Sequence, residues 1–436
     1  MLLSSLGTSI ANVGLPTLAR AFNASFQQVQ WIVIAYLLAS TTVVVSVGRL
    51  GDITGRRRLL LAGILLFTAA SVGCGVAPTL WLLIAARAAQ GLGAAIMMAL
   101  TMAFVGETVP KAQIGSTMGL LGTTSAIGTA LGPSLGGVLI SGIGWRAIFL
   151  VNVPLGLLTF VLAYRHLPVD RRIPTTNRAG FDNLGTLLLA LTLGAYALAM
   201  TIGQRGHFGA LNVALLLGAG CGVGLFVLAE ARVASPLIRL AMFRDSGLTA
   251  SLAMSALVST VMMATLVVGP FYLSRALGLE PVSVGLVLSV GPLVAALTGM
   301  PAGRLADRFG AQRTTIAGLT GMAAGCFLLS MMPAALGVTG YVVPIALVTV
   351  GYALFQTANN TAVMADVDPH QRGVVSGLLN LSRNLGLVTG ASVMGAVFAF
   401  SGMRVTFVVA ALLILGALAI AVGSRRQDVP RAIREA

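Results

Sequence analysis

Charge is what this chain has least of: Asp, Glu, Lys and Arg make up 9% of its 436 residues, against 57% hydrophobic residues and a mean hydropathy of +0.95. That balance excludes a soluble globular domain, in which about a quarter of residues are charged. Acidic residues are scarcer than basic ones, 12 against 27, and Lys111 is the sole lysine. A net charge of +15 would suggest nucleic acid in a soluble protein, but here the basic residues lie between apolar runs, where they set topology. Nucleic acid is therefore not an expected partner. Cys74, Cys221 and Cys326 all fall inside apolar runs and read as small packing residues, not as a disulfide or metal framework. Histidine is limited to His166, His207 and His370, outside those runs. No phosphate-cradling G-x-x-x-x-G-K and no H-E-x-x-H occurs, so ATP-driven pumping and zinc hydrolysis lack support. No enzymatic activity, cofactor or metal is expected.

What the chain does have is a succession of apolar runs, each of the roughly 20 residues needed to cross about 30 Å of hydrocarbon. Runs and breaks predict fourteen spans, beginning with 1–19 and ending with 372–400 and 403–423. The alternating pattern of an outer-membrane barrel is absent. The start has no basic segment ahead of its apolar run and reads as a first membrane helix, not a cleaved signal.

The stretch Gly48 to Arg58 returns 255 residues later as Gly303 to Arg313, with six of eleven positions identical. A second match, at an offset of 258, relates Gly115, Gly119, Gly128, Gly132 and Gly137 to Gly373, Gly377, Gly386, Gly390 and Gly395. Spans 1 to 6 therefore correspond to spans 9 to 14, and spans 7 and 8 lie outside the repeat. The fold class predicted is an all-α polytopic membrane protein of two pseudo-symmetric six-helix bundles with an inserted central helix pair. The predicted segments are residues 1–166, the first bundle; 167–246, a linker with the two extra spans; 247–424, the second bundle; and 425–436, a tail.

Two six-helix halves in parallel repeat, each with a glycine-bounded basic turn after its second span, resemble the major facilitator superfamily. The inserted pair makes the chain similar to the fourteen-helix drug:proton antiporters of the EmrB/QacA type. The resemblance implies a cytoplasmic conformational latch at Gly48, Asp52, Gly55 and Arg56, repeated at Gly303, Asp307, Arg308 and Gly310. Glu107, at the end of span 4, is a candidate partner for Arg56 or Arg57. Ile53 stands where the family usually has a basic residue, and Arg308 supplies one in the second copy.

The fifth span carries Gly128, Gly132 and Gly136 one turn apart on one face, where another helix can approach closely. Pro133 removes a backbone hydrogen bond there and bends the helix, placing a hinge or seal; with Gly137 it completes a sequence similar to the family's antiporter motif, which packing alone explains equally well. Arg87 lies well inside span 4, and an ionisable residue at that depth is a functional candidate in its own right. It resembles the superfamily's helix-4 arginine, implicated in proton coupling. Arg383, in span 13, matches an arginine common in the fourteen-helix group.

The family's embedded acid in the first span is missing. Gly7 to Pro16 matches most of a D-x-T-I-x-N-x-x-L-P pattern but has Gly7 at the acid position. None of the 12 acidic residues falls near the middle of a span, so proton coupling must use Asp52, Glu107 or a boundary acid such as Asp182, or be absent. Polar and aromatic residues on apolar runs are candidates to line a cavity: Asn12, Trp31, Tyr36, Gln90, Gln356, Asn359 and Asn360, with Gln30, Asn152 and Asn380 beside them. Trp31 and Tyr36 read equally as interfacial anchors, and for each asparagine interhelical hydrogen bonding explains the residue equally well. Without an embedded acid, neutral or amphipathic substrates fit better than strongly cationic ones.

The sequence thus predicts a secondary transporter in the plasma membrane that exports small hydrophobic or amphipathic molecules by alternating access, as proton-coupled efflux of the multidrug type. Its partners would be a small-molecule substrate, protons and the lipid bilayer, and it would act as a monomer. The alternatives are a dedicated metabolite exporter or uncoupled facilitator, and a transport-inactive scaffold or sensor. If the N-terminus is cytoplasmic, the inside loops hold most of the basic residues, among them Arg56, Arg57, Arg58, Lys111, Arg171, Arg172, Arg425 and Arg426. The outside loops hold only Arg20, Arg146, Arg205, Arg275 and Arg404, a bias that places both termini in the cytoplasm. A reporter enzyme active only outside the cytoplasm should therefore be silent when fused after Ala436 and active when inserted at Arg205. The opposite pattern would reverse the topology.

Overall fold

The computed structural model describes residues 1–108, 114–167, 183–202, 209–232, 242–243, 245–365 and 372–432. The regular structure among them is helical, as it must be where no water is present to satisfy backbone N–H and C=O groups. The first helices are α1 (Leu2–Ala21), α2 (Phe26–Thr54), α3 (Arg56–Val76), α4 (Leu80–Thr108) and α5 (Ile114–Gly142). A single turn, α6 (Ala147–Leu150), leads into α7 (Asn152–His166), and the central pair is α8 (Asn183–Thr201) and α9 (Ala210–Arg232). There follow α10 (Ser246–Phe271), α11 (Pro281–Phe309), α12 (Ala311–Met331), α13 (Gly337–Ala365), α14 (Arg372–Thr389) and α15 (Gly395–Ala432), with π-helical turns at Tyr272–Ala276 and Gly390–Met394.

Local chemistry sets several of these ends. Ser25 and Gln28 form a reciprocal capping box at the start of α2, with bonds of 3.2 and 2.8 Å. The Asp245 carboxylate accepts from the amides of Gly247 and Leu248 at the start of α10. The repeated turn is built alike in both copies. Gly55 (φ 95°) joins α2 to α3 and Gly310 (φ 86°) joins α11 to α12, conformations that a side chain would strain.

Among the described residues, twelve stretches are long and apolar enough to cross a membrane, against the fourteen spans expected. The difference arises at two places. Leu378–Gly423 forms one apolar stretch of 46 residues, broken at Gly402 (φ 73°, ψ −175°). At 1.5 Å per residue it is about 69 Å long, roughly twice the hydrocarbon thickness. In α5 the apolar portion is Ile127–Gly142, shorter than a full crossing. Trp81, Leu217, Leu297 and Met300 are 66–71% exposed, apolar surface suited to lipid and not to water.

The chain divides into two compact units: Met1–Arg239 with Glu280–Leu286, and Leu240–Leu279 with Val287–Ala436. The central pair α8 and α9 groups with the first unit. In that unit α8 is fastened to α2 by Trp31 Nε1 donating to Thr201 Oγ1 (3.0 Å) and by the Ser46–Thr186 hydroxyl pair (2.9 Å).

The sequence repeat has a packing counterpart inside each unit. In the first, α3 meets α4 at Gly63 and Gly93, where a Cβ on Gly93 would stand 2.7 Å from the Gly63 carbonyl oxygen. In the second, α12 meets α13 at Gly318 and Gly351, where a Cβ on Gly318 would stand 2.6 Å from the Gly351 carbonyl oxygen. Likewise α5 closes on α1 through Gly128, Gly132 and Gly136, and α14 closes on α10 through Gly386 with Gly390 at its end. These helix pairs approach until only hydrogen fits between backbones.

Substitution should separate these glycines from others in the same apolar background. Gly93→Ala and Gly351→Ala are expected to lower the thermal midpoint of the purified protein, by an overpacking cost of about 1–3 kcal/mol each. Gly224→Ala, where nothing lies within 4 Å of the added Cβ, should leave the midpoint unchanged. Equal effects at all three positions would contradict the packing described.

Candidate functional site

Arg87 is the largest fully buried side chain among the described residues, with 0% of its surface exposed. Its position in α4 follows from Gly91 one turn later, where the backbone of α2 comes so close that a Cβ would strike the Tyr36 carbonyl oxygen. The guanidinium is thereby set among α1, α2 and α3. Its Nε donates to the Ile32 carbonyl (3.0 Å), and its Nη1 donates to the Gly7 carbonyl (3.0 Å) and to Gln90 Oε1 (2.5 Å). The Gln90 amide donates in turn to Ser71 Oγ (2.7 Å), which donates to the Phe67 carbonyl (2.7 Å).

Aromatic faces complete the surroundings. The guanidinium carbon lies 4.3 Å from the centre of the Tyr36 ring and 5.9 Å from that of Phe149. Both are within the range in which a ring face attracts a cation. The Tyr36 hydroxyl donates to the Ser4 carbonyl (3.2 Å) and accepts from Thr8 Oγ1 (3.1 Å). Nη2 has no hydrogen-bond partner, and no carboxylate of the described residues reaches Arg87. Position 7 is closed to a side chain as well, because a Cβ there would stand 2.8 Å from the Phe67 ring.

Of the residues expected to line a cavity, the structure joins Tyr36 and Gln90 to Arg87. Asn12 and Gln30 are buried in the same unit, with donor and acceptor atoms of both amides unpartnered. Asn152 donates to the carbonyls of Ile148 and Phe149 (3.3 Å each), and Trp31 serves the α2–α8 contact. In the second unit Asn359 donates to the Ser251 carbonyl (3.4 Å), and Gln356 contacts Asn360 at 3.5 Å. Arg383 and Asn380 are exposed there. That unit has no counterpart of the arginine cluster: at the offset of 258, Ile345 stands in the place of Arg87 and Val348 in that of Gln90.

The helix-5 glycines act on different neighbours. Gly128, Gly132 and Gly136 abut Leu2, Ser9, Ile10 and Val13 of α1, whereas a Cβ on Gly137 would stand 2.5 Å from the Pro281 carbonyl oxygen, in the first turn of α11. Gly285 closes on the Pro133 carbonyl oxygen. Both contacts lie in the first unit, and the oxygen that Gly285 approaches belongs to the residue expected to form a hinge.

At the basic turn, Gly55 and Gly310 hold their left-handed conformations, and Arg57 donates to the Tyr164 carbonyl (2.5 Å) with its guanidinium 5.2 Å from the Tyr164 ring. Arg56 is half-buried beside Gly51. In the second copy Gly303 is half-buried, Asp307 is exposed, and Arg308 lies 5.4 Å from the Phe309 ring. Gly48 and the side chains of Asp52 and Glu107 lie outside what the structure describes, as do the latch contacts expected of them.

The sequence reading missed Ser4, Thr8, Phe67, Ser71 and Phe149. The hydroxyls were visible as polar residues in apolar runs, but nothing local ties them to Arg87, which is 16 or more positions away from Ser71 and farther from the others. Among the described residues no group of three or more His, Cys, Asp or Glu could hold a metal.

The family model described as Major Facilitator Superfamily matches residues 1–391 and 250–436. The riboflavin transporter RibZ of Clostridioides difficile is 30% identical over 92% of this chain and 86% of that protein. The multidrug resistance protein Stp of Mycobacterium tuberculosis is 33% identical over 90% of this chain and 73% of that protein. Among solved structures, a D-xylose-proton symporter superposes with a TM-score of 0.71 at 16% identity, over 96% of this chain and 94% of that one. That likeness is one of fold.

A lysine cannot replace Arg87, because its compact ammonium cannot span carbonyls on two helices and the amide of Gln90 in one plane. Arg87→Lys is expected to lower the thermal midpoint by an amount equivalent to about 2 kcal/mol, in the range of a hydrogen-bonded charged group losing partners. An unchanged midpoint would show that the cluster does not hold α1, α2 and α4 together.

Proposed function

We propose that this chain, which belongs to the Major Facilitator Superfamily, is a secondary active transporter that exports small hydrophobic or amphipathic molecules by alternating access. The observation that carries this reading is the arginine cluster: a cation sealed in an apolar bundle is costly, and it is kept in one half of a duplicated chain whose other half has Ile345 and Val348 instead. A passive scaffold has no use for that asymmetry. Two relatives, a riboflavin transporter and a multidrug resistance protein, support a reading in which small organic molecules are moved.

Reading the stretch broken at Gly402 as two crossings and α5 as one more gives fourteen, the number of the drug:proton antiporter type. The basic-residue bias places both termini in the cytoplasm of a bacterial-type plasma membrane, and export is the direction implied by the helix-5 motif. The protein acts as a monomer. Its segments are the bundles 1–166 and 247–424, the linker 167–246 and the tail 425–436. Arg87 and Arg383 belong to the mechanism, Asp52 and Asp307 to the latch, and a proton route runs through Asp52, Glu107 or Asp182.

Gly7 favours a second reading. With Phe67 packed against it and no carboxylate near Arg87, the first helix has no group that could carry a proton, as expected of an uncoupled facilitator or dedicated metabolite exporter.

Reconstitution in liposomes with an imposed pH gradient distinguishes the two. Antiport predicts that lipophilic dyes move against their gradient and that collapsing the pH gradient stops them. Movement indifferent to that collapse selects the facilitator, and failure of a broad panel to move at all overturns transport.

A further inference from the structure

An arginine has five N–H donors, and Arg87 uses three of them on Ile32, Gly7 and Gln90. Both hydrogens of Nη2 remain, on a nitrogen sealed from solvent and lacking an acceptor. The acceptors in use are carbonyl and amide oxygens, which carry partial charges, and the ring faces of Tyr36 and Phe149. None of these supplies a full negative charge. The other charged residues of the surrounding helices stand near their ends: Arg20 on α1, Arg49 and Asp52 on α2, Arg56, Arg57 and Arg58 on α3, and Glu107 on α4. The residue of α1 that touches the guanidinium is a glycine, and the Phe67 ring occupies the space into which a side chain would point.

A buried cation with spare donors and no counter-charge is a binding site for an anion. We propose that Arg87 recognises an oxyanion, such as a carboxylate, on the transported molecule, and that the favoured substrates are amphipathic anions. This rests on the transport reading above and names the substrate class for the same site.

Two further features fit such a ligand. The Tyr36 and Phe149 rings beside the cation present apolar faces to an apolar body. Asn12, on α1, and Gln30, two residues before Ile32 on α2, are buried amides with unused donors and acceptors for its polar substituents. Since Arg87 is fully covered here, the anion enters when Tyr36 moves aside, and its ring is held at the hydroxyl by only the bonds to Ser4 and Thr8.

The test compares a carboxylate dye with its own methyl ester, which shares the ring system but lacks the charge. Binding to the purified protein is measured by titration, and transport is measured in proteoliposomes. The acid is expected to bind about tenfold or more tightly than the ester, a difference of ~1.4 kcal/mol. Gly7→Asp, in which the Phe67 ring must shift to admit the side chain, adds a carboxylate at the α1 residue whose carbonyl bonds the guanidinium and should abolish that preference. Gly7→Asn adds the same bulk without charge and should keep the ratio even if both affinities fall. Equal affinity for acid and ester in the native protein, or identical effects of the two Gly7 variants, would overturn the proposal. If neither Gly7 variant folds, Arg87→Gln decides: it should bind acid and ester alike, and a retained preference refutes the site. An acid preference that depends on Arg87 while neither dye crosses the vesicle membrane would uphold anion recognition and overturn transport.

Discussion

A guanidinium enclosed by hydrocarbon must have acceptors brought to it, and meeting that need organises the first unit. Arg87 draws the carbonyl of Gly7 from α1 and that of Ile32 from α2, and through Gln90 and Ser71 it reaches α3. Each acceptor is available only because helices approach closely. Gly91 admits the backbone of α2 at Tyr36, Gly93 and Gly63 admit α3, and Gly7 admits the Phe67 ring. The glycines and the arginine are one device, since removing the close approach would leave the charge without partners in a medium that does not forgive it.

Duplication explains why that device stands out. Both halves keep the steric part, with Gly318 and Gly351 matching Gly63 and Gly93, and Gly386 and Gly390 matching Gly128 and Gly132. Only the first keeps the charge. The second has Ile345 at the equivalent place and builds its core from groups such as the stacked Tyr272 and Tyr341, 6.0 Å apart. The halves thus share backbone geometry and differ in chemistry, as divergence after duplication of a bundle allows.

Much of the fold was legible because membrane spans are written in runs of apolar residues and punctuated by charge. Helix placement, the repeated glycine turn and the glycine face of α5 all followed from local pattern. The count of crossings did not follow as cleanly, since the break at Gly402 leaves helix on both sides and the apolar part of α5 is short. The site was only partly legible. Arg87, Gln90 and Tyr36 drew notice as polar or aromatic residues in apolar runs, but their meeting depends on contacts 55 and 80 positions apart along the chain. Trp31, read from sequence as a cavity residue or an interfacial anchor, has a hydrogen-bond partner in α8, Thr201, 170 positions away. Gly7 read as the loss of an acid, yet in three dimensions it is also an acceptor and a seat for Phe67.

The measurement that bears most directly on this account is solid-state NMR of the protein in lipid, with arginine side-chain nitrogens, tyrosine ring carbons and carbonyl or carboxyl carbons labelled. The buried arginine signal, assigned by its loss in Arg87→Lys, should show dipolar coupling to the Gly7 carbonyl carbon and to the Tyr36 ring, and none to an Asp or Glu carboxyl carbon. Coupling to a carboxylate would mean that Arg87 is an ordinary internal ion pair, and the account of a cation held without counter-charge would be wrong.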